Sequence, residues 1–407
     1  MFRLITKIAW ASLLRRRARS VLVVLMIGCS LWGLLFMEGI YDGMTEQMIN
    51  NAIRSDSGHL SIFGKGYRLD PDLSRQVENV AAIDAFLAAD RRVVTYVTRL
   101  KQDGLVATAH YSRGIMIFGI DPAAEEKHGH LSGYLRQGMF SFGSRSRGAI
   151  IGIKLADKLQ VRIGSKVILS AQDSHGEVSA MPLKVTGILK TNNMALDENA
   201  VFISVTKARQ LLAMDDGVSQ VAIILHDEEQ AADMQQDLHR NFPHLDILRW
   251  DELYPALMQS RVMMEGFNLV ISLLIFCVAA LGIFGVMLVS VLERLREFGI
   301  MLALGTSFRQ VRNIIIAESF FLGFVGFAFG GLIGWATLAY FKVYGLDLSM
   351  FSDAFDEFGM DAVTHAVIRP DYFIIALVAV ILAVFLSVLI PLRVLKKARP
   401  IETINTV

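Results

Sequence analysis

Four long apolar runs constrain this chain more than any other feature of its sequence. They cover residues 21–37, 269–292, 314–340 and 373–392, each about 17 to 27 residues, which is enough to cross roughly 30 Å of hydrocarbon as a helix. The chain is 53% hydrophobic with a mean hydropathy of +0.46, too apolar for an ordinary soluble protein. We therefore predict a membrane α-helical protein with four transmembrane helices, one followed at a distance by three.

The charges that flank these runs predict their orientation. Basic residues lie before the first run, between the second and third, and after the last: Arg15, Arg16, Arg17, Arg19, Arg309, Arg312, Arg393, Lys396, Lys397 and Arg399. Because positive charge collects on the cytoplasmic side, both termini and the link at 293–313 are expected there. The predicted segments are an interfacial amphipathic helix (1–19), TM1 (20–40), an extracytoplasmic domain with stalk helices (41–266), TM2 (267–292), a cytoplasmic coupling link (293–313), TM3 (314–341), a short acidic external loop (342–371), TM4 (372–392) and a cytoplasmic tail (393–407).

The long insert between the first two runs has the pattern of a large α+β domain. Alternating and β-branched stretches predict strands at 148–152, 166–171, 181–189 and 200–204, with a turn at 173–176 joining the second and third. Helices are predicted at 154–159 and 206–213. The flanking stretches 45–54 and 251–267 read as stalk helices, the second uninterrupted because Pro255 falls in its first turn.

Catalytic and metal-binding patterns are not found in the sequence. The glycines at 58–66 have the wrong spacing for a phosphate-binding loop, so the chain is not expected to hydrolyse ATP or to bind a cofactor itself. Residues 173–175 (Asp-Ser-His) fit a turn and not a catalytic triad. The net charge of +1 shows no basic stripe and favours no nucleic acid. One cluster has metal-ligand residue types, but its spacing favours a solvated surface loop: Asp121, Glu125, Glu126, His128 and His130.

The link at 293–305 is the candidate functional element. Its two acids and two bases cannot lie in hydrocarbon, so they predict a charged helical element that docks on a soluble partner. Glu318, one turn inside the third run, is either bonded to the link through Arg309 or Arg312 or extended to the membrane interface, and both interpretations stay open. Small residues on one face of the same run predict close helix packing, within the bundle or between subunits: Gly323, Gly326, Gly330 and Gly334.

These residues together resemble a known family. The pattern Glu293-Arg294-x-Arg296-Glu297-x-Gly299-Ile300-x-x-Ala303-x-Gly305, then Glu318 and the glycines, is similar to the permease of FtsX-, MacB- and LolC/LolE-type ABC transporters, the mechanotransmission (type VII) family. The ending (Pro391-x-Arg393, Arg399-Pro400-x-Glu402) and the external motif Gly119-Ile120-Asp121-Pro122 agree with it. The resemblance covers essentially the whole chain and is strongest in layout to the LolC/LolE lipoprotein-releasing permeases.

The resemblance implies a function for the link. Its ATPase-coupling residues would be Glu293, Arg294, Arg296, Glu297, Gly299, Ala303 and Gly305, seated in a cytoplasmic ATPase that holds the ATP and magnesium. The implied setting is the bacterial inner membrane, with a second permease copy or paralogue, membrane lipids, a lipoprotein substrate and a periplasmic carrier as partners. The expected function is lipoprotein release. The alternatives are a MacB-type exporter of peptides or antimicrobials and an FtsX-like transmitter that controls envelope hydrolases.

Overall fold

The computed structural model describes residues 17–69, 71–144, 146–191, 193–214, 217–351 and 362–397. The chain divides into two compact units. The helical unit contains residues 1–45, 261–348 and 363–407, and the sheet unit contains residues 46–260 and 349–362. The predicted interfacial helix lies almost entirely outside the described residues, as do residues 352–361 of the predicted acidic loop and 398–407 of the tail.

The secondary structure follows the chain in this order. The helices are α1 (Arg17–Ala52), α2 (Val80–Ala89), α3 (Pro122–Gly129), α4 (Ile153–Leu159), α5 (Met194–Asn199), α6 (Val205–Leu211), α7 (Ala231–Asn241), α8 (Trp250–Leu253), α9 (Pro255–Glu293), α10 (Leu295–Ala303), α11 (Phe308–Tyr344) and α12 (Pro370–Lys397). The strands are β1 (Leu60–Gly64), β2 (Val93–Ala107), β3 (Ser112–Ile120), β4 (Leu135–Gly138), β5 (Gly148–Gly152), β6 (Lys166–Gln172), β7 (Val178–Leu189), β8 (Ala200–Ser204), β9 (Gln220–Leu225), β10 (Leu245–Arg249), β11 (Leu346–Asp347) and β12 (Val363–Thr364).

The helical unit is built on long apolar helices. Four helices among the described residues are long and apolar enough to cross a membrane: Ser20–Ser57, Pro255–Val278, Phe308–Tyr344 and Pro370–Leu389. Buried side chains of α1, α11 and α12 pack together in two clusters, one around Ile27 and Leu322 and one around Leu35 and Leu338. The apolar residues of α9 are largely exposed, as expected for a helix that faces lipid or another protein.

The helices that lead into and out of the sheet unit differ from each other. As predicted, α1 continues past the apolar run, and it then passes into one π-helical turn, Ile53–Ser57. The predicted helix at 251–267 is wrong as an uninterrupted element. It breaks at Tyr254 (φ −118°, ψ 65°), so that α8 ends there and Pro255 begins α9. A residue before proline avoids the helical region, and a proline suits the first position of a new helix.

The sheet unit contains one ten-stranded sheet, in the order β10-β1-β9-β2-β3-β8-β5-β7-β4, with β6 paired to both β2 and β7. The pairs β3–β8 and β5–β7 are parallel, and the others are antiparallel. Strand β2 joins the two halves, because residues 93–99 pair with β9 and residues 100–107 pair with β3. The predicted hairpin is present, with β6 and β7 paired from Lys166↔Lys184 to Gln172↔Val178 around the predicted turn.

Candidate coupling site

Helix α10 is a short element bounded at both ends by local signals. Arg294 leaves the helical region (φ −104°, ψ 6°) and separates α9 from α10. The other end closes as a Schellman motif, in which the Gly305 N–H donates to Leu302 O and the Thr306 N–H to Met301 O. Gly305 supplies the left-handed conformation (φ +93°) that this motif requires. Ser307 and Gln310 then form the capping box that begins α11.

The inner face of α10 is fixed by an apolar core. Phe298 is only 1% exposed and packs with Val291 of α9, Ile315 of α11 and Val388 of α12. Gly299 is buried beside it. This single short helix therefore contacts the ends of three long helices. A displacement of α10 would be passed on to all three, because a packed core transmits strain instead of absorbing it.

Arg294 joins the link to the third long helix. Its Nη1 lies 2.7 Å from Glu318 Oε2 and its Nε lies 3.1 Å from Glu297 Oε2. The guanidinium also lies over the Phe298 ring, 5.0 Å from the centroid. Glu318 is thus bonded to the link, but the expected partners Arg309 and Arg312 are wrong, since both are exposed. The α9–α10 break turns Arg294 inward, and the sequence alone does not indicate this turn.

The outer face of α10 is exposed and mixed in character. Arg296, Ile300 and Leu304 are exposed, and Leu304 retains 82% of its accessible surface. Glu293, Glu297, Ala303 and Gly305 are exposed as well. Of the predicted coupling residues, Arg294 and Gly299 therefore face the protein, and the other five lie on its surface. A basic and apolar ridge of this kind can insert into a groove of a soluble partner.

The four glycines of α11 lie at contacts inside the helical unit. A Cβ on Gly326 would lie 2.7 Å from Ile27 Cβ, and one on Gly334 would lie 2.6 Å from Leu35 Cδ1. A Cβ on Gly330 would lie 2.6 Å from the carbonyl oxygen of Gly28, so the backbones of α1 and α11 meet there. Gly323 faces Val384 of α12 in the same way. The strip packs α11 against its neighbours within the chain.

A second charged site, in the sheet unit, was not predicted from the sequence. Arg99 and Glu125 form a bidentate pair, with Nε–Oε1 at 2.5 Å and Nη2–Oε2 at 2.7 Å, and both side chains are 1% exposed. The Asp56 carboxylate accepts from Lys101 Nζ and from the Tyr254 hydroxyl, and the Asp56 carbonyl accepts from Arg99. We call these five residues the Asp56 cluster. Its two acids and two bases balance in charge.

The Asp56 cluster lies where several elements of the sheet unit meet. Asp56 is in the π-helical turn that follows α1, and Tyr254 is in the break that precedes α9. Arg99 and Lys101 occupy the part of β2 where pairing passes from β9 to β3. Burial lowers the pKa of Lys101 despite the nearby Asp56 carboxylate, and burial together with that carboxylate raises the pKa of Tyr254 well above its usual value. The π turn at this position and the break at Tyr254 are the local irregularities that mark the site.

The cluster with metal-ligand residue types does not form a solvated loop. Its residues begin and build α3: Asp121 caps the helix by accepting from the Ala123 N–H, and Glu125 is buried in the Asp56 cluster. His128 is buried, and neither ring nitrogen has a partner among the described residues. Burial, followed by the charge of Arg99, lowers the pKa of His128 to about 3. The described part of the chain contains no group of three residues that could hold a metal ion.

Comparison with known families divides the chain in two. The profile of the MacB-like periplasmic core domain matches residues 20–241, and that of the FtsX-like permease C-terminal domain matches residues 269–400. The first match covers more than half of the chain. The second match begins at Leu269, within α9, close to where the second predicted transmembrane segment begins.

The chain is also similar to individual proteins. The chain is 24% identical over 385 residues to the "Lipoprotein-releasing system transmembrane protein LolC" of Neisseria meningitidis, covering 91% of this chain and 88% of that protein. It is 20% identical to the "Macrolide export ATP-binding/permease protein MacB" of Rhodopseudomonas palustris, covering 83% of this chain and 53% of that protein. Among solved structures, the periplasmic region of MacB from Actinobacillus actinomycetemcomitans is 13% identical, with a TM-score of 0.35 over 51% of this chain and 95% of that one.

Proposed function

The chain belongs to the family of ABC transporter permeases of the FtsX, MacB and LolC/LolE type, and we propose that it couples ATP hydrolysis by a separate cytoplasmic ATPase to the release of lipoproteins from the inner membrane. In this proposal the chain is a non-catalytic permease, and ATP and magnesium are held by the partner. Two permease subunits act together, identical or paralogous. Both termini face the cytoplasm and the sheet unit faces the periplasm.

The observation that carries the coupling proposal is the two-sided character of α10. Its inner face is packed into the ends of α9, α11 and α12 and is tied to α11 by the Arg294–Glu318 pair. Its outer face offers Arg296, Ile300 and Leu304 to a partner. Force applied by an ATPase to the outer face would therefore reach three long helices at once.

The substrate proposal rests on extent of similarity and on energetics. The LolC relative aligns with 91% of this chain and with 88% of its own length. Exposing three acyl chains to water, about 40 methylenes at roughly 0.8 kcal/mol each, would cost on the order of 30 kcal/mol. One or two ATP molecules cannot supply that energy, so the acyl chains must pass through a sheltered apolar route before a periplasmic carrier accepts them. The exposed apolar face of α9 is our candidate for one wall of that route.

A second candidate function is export of peptides or other antimicrobials in the manner of MacB. The match of residues 20–241 to the MacB-like periplasmic core domain favours it. The chain spans about half the length of the MacB relative, which is an ATP-binding protein and permease in one chain. On this alternative the same α10 surface would serve a different cargo.

The experiment that separates these functions identifies the cargo. The full chain is purified in mild detergent together with its ATPase, and bound material is analysed by mass spectrometry. Co-purified lipoprotein that is released into solution on addition of ATP supports the proposal. Bound peptides or small antimicrobials without lipoprotein would favour the MacB-type function, and a bound regulator of envelope hydrolases would overturn both.

A further inference from the structure

Glu38 is an acid in the first long helix that is bonded to the second. Its Oε2 accepts from Asn268 Nδ2 at 2.6 Å, and its Oε1 accepts from Ser272 Oγ at 2.9 Å. All three residues belong to the helical unit. Glu38 falls near the external end of the predicted span 20–40. At this depth in the membrane a carboxylate costs free energy unless it is paired with a charged group or accepts hydrogen bonds.

The negative charge around Glu38 is not balanced by the surrounding protein. Asp42, one turn further along α1, is bonded to the hydroxyl of Tyr372 and lies 3.4 Å from Arg369 Nη1. Arg369 also lies 3.2 Å from Asp371. Two acids, Asp42 and Asp371, therefore share one base, and within the described residues no basic side chain lies within ion-pair distance of Glu38. A cation fits this deficit.

Asn268 supplies an independent sign of a missing donor. The residue is 9% exposed, and its Oδ1 is buried with no hydrogen-bond partner in the described structure. Its amide orientation is fixed, because the carboxylate of Glu38 can only accept and must face the Nδ2 group. The oxygen without a partner and the nitrogen that contacts Glu38 therefore belong to one side-chain amide group. A buried acceptor without a partner costs about 1–3 kcal/mol, which a ligand N–H would recover.

The surroundings indicate a ligand with an apolar body. Phe267 and Leu269, on either side of Asn268, are 62% and 71% exposed, and Ile271 is 40% exposed. We propose that Glu38 and Asn268 form a site for the primary ammonium group of a lipid-anchored molecule in the outer leaflet. The ammonium donates to the carboxylate of Glu38 and to Asn268 Oδ1, and the acyl chains lie along α9. This inference rests on the topology of the proposed function and adds a chemical selectivity to it.

Two molecules carry the required chemistry: phosphatidylethanolamine, and a lipoprotein with two acyl chains and a free terminal amine. A lipoprotein with three acyl chains does not, because its third chain is attached to that amine. A choline headgroup does not, because its quaternary nitrogen has no N–H to donate. The full chain is reconstituted in nanodiscs that contain equal amounts of phosphatidylethanolamine and phosphatidylcholine, and retained lipid is measured by native mass spectrometry. We expect the amine lipid to be preferred by about tenfold, the factor that one charge-assisted hydrogen bond provides. Equal retention of the two lipids would overturn the proposal.

The variant Glu38→Gln separates ligand binding from helix packing. Glutamine keeps an oxygen that can accept from Asn268 or Ser272, and its amide can donate to Asn268 Oδ1, so the helices stay joined while the charge is removed. The lipid preference should disappear with the melting temperature unchanged. The control Glu265→Gln removes an exposed acid of α9 that is paired with Arg261, and it should retain the preference. Loss of the preference in both variants, or in neither, would refute the assignment.

A diacylated lipopeptide identifies the physiological source. The peptide with a free terminal amine should bind wild type about tenfold more tightly than its N-acetylated form, and Glu38→Gln should bind both equally. Competition by phosphatidylethanolamine shows whether the two amines share the site. If lipoprotein co-purifies equally with wild type and Glu38→Gln and no amine preference is seen, the inference fails and the proposed function stands. If an amine preference is seen but no lipoprotein is bound, the inference stands and the proposed function fails.

Discussion

Two of the charged sites in the described part of the chain, the link and the Asp56 cluster, differ in depth. In the helical unit, Arg294 and Glu318 join α10 to α11, with both side chains 12% exposed. In the sheet unit, the Arg99–Glu125 pair is 1% exposed and belongs to a network that includes Asp56, Lys101 and Tyr254. A shallow pair can rearrange as water enters, whereas a buried network is held by the cost of leaving any member without a partner. We therefore interpret the link as the movable junction and the Asp56 cluster as the fixed one.

The largest expected effect comes from breaking the buried pair. Arg99→Met leaves the Glu125 carboxylate buried without its cation, which should lower the free energy of unfolding of the sheet unit by about 3–5 kcal/mol. Chemical denaturation of the full chain in detergent measures the change. The double variant Arg99→Met/Glu125→Leu should recover most of the loss. A single variant as stable as wild type would show that the cluster does not hold this junction.

Acid should weaken the same region through His128. An unfolded histidine takes up a proton below about pH 6.5, whereas the folded one stays neutral to about pH 3, so stability falls as the pH drops from 6.5 towards 3. Between pH 7 and pH 5 the loss should be about 2 kcal/mol. His128→Leu should remove that part of the pH dependence, measured by denaturation at both pH values. His130→Leu, which removes an exposed imidazole of the same segment, is the matched control.

The shallow pair should contribute less. Arg294→Met removes the partner of Glu318 and the contact with the Phe298 ring, and we expect a loss of about 1.5–2 kcal/mol, below that of Arg99→Met. The comparison of the two Arg→Met variants in one unfolding assay tests the contrast between the junctions directly. An effect at Arg294 as large as that at Arg99 would show that the link is as rigid as the buried cluster.

The smallest expected effect is at Gly330, and its neighbour Gly331 provides the control. Gly330→Ala places a Cβ 2.6 Å from the Gly28 carbonyl oxygen and should cost about 1 kcal/mol, because two backbones must move apart. Gly331→Ala meets nothing within 4 Å and should be neutral or slightly stabilising. Thermal melting in detergent compares them. Equal melting temperatures would mean that the contact between α1 and α11 is not close in solution.

The structural features that could be predicted from the sequence depend on local patterns. The features that were missed depend on contacts between residues that are distant in the sequence. The apolar runs became long helices, and the predicted hairpin around 173–176 is present, because both signals lie within a few residues of one another. Asp56 and Tyr254 are 198 residues apart and no local pattern joins them. The break at Tyr254 did have a signal, since Pro255 disfavours a helical residue before it, but the proline was interpreted as the first turn of a helix that had already begun. Glu318 is bonded to the link, which is one of the two interpretations that the sequence leaves open, but its partner is Arg294, because the turn at Arg294 sets which arginine faces inward.

The central claim is that the outer face of α10 receives force from an ATPase. The most direct measurement is retention of the ATPase by the double variant Arg296→Glu/Leu304→Asp, which alters only exposed positions and should change stability by less than about 0.5 kcal/mol. The matched control is Arg113→Glu, an exposed charge reversal on β3. We predict that the ATPase co-purifies with the control and is lost from the double variant, with both proteins melting like wild type. Full retention of the ATPase by the folded double variant would contradict the account.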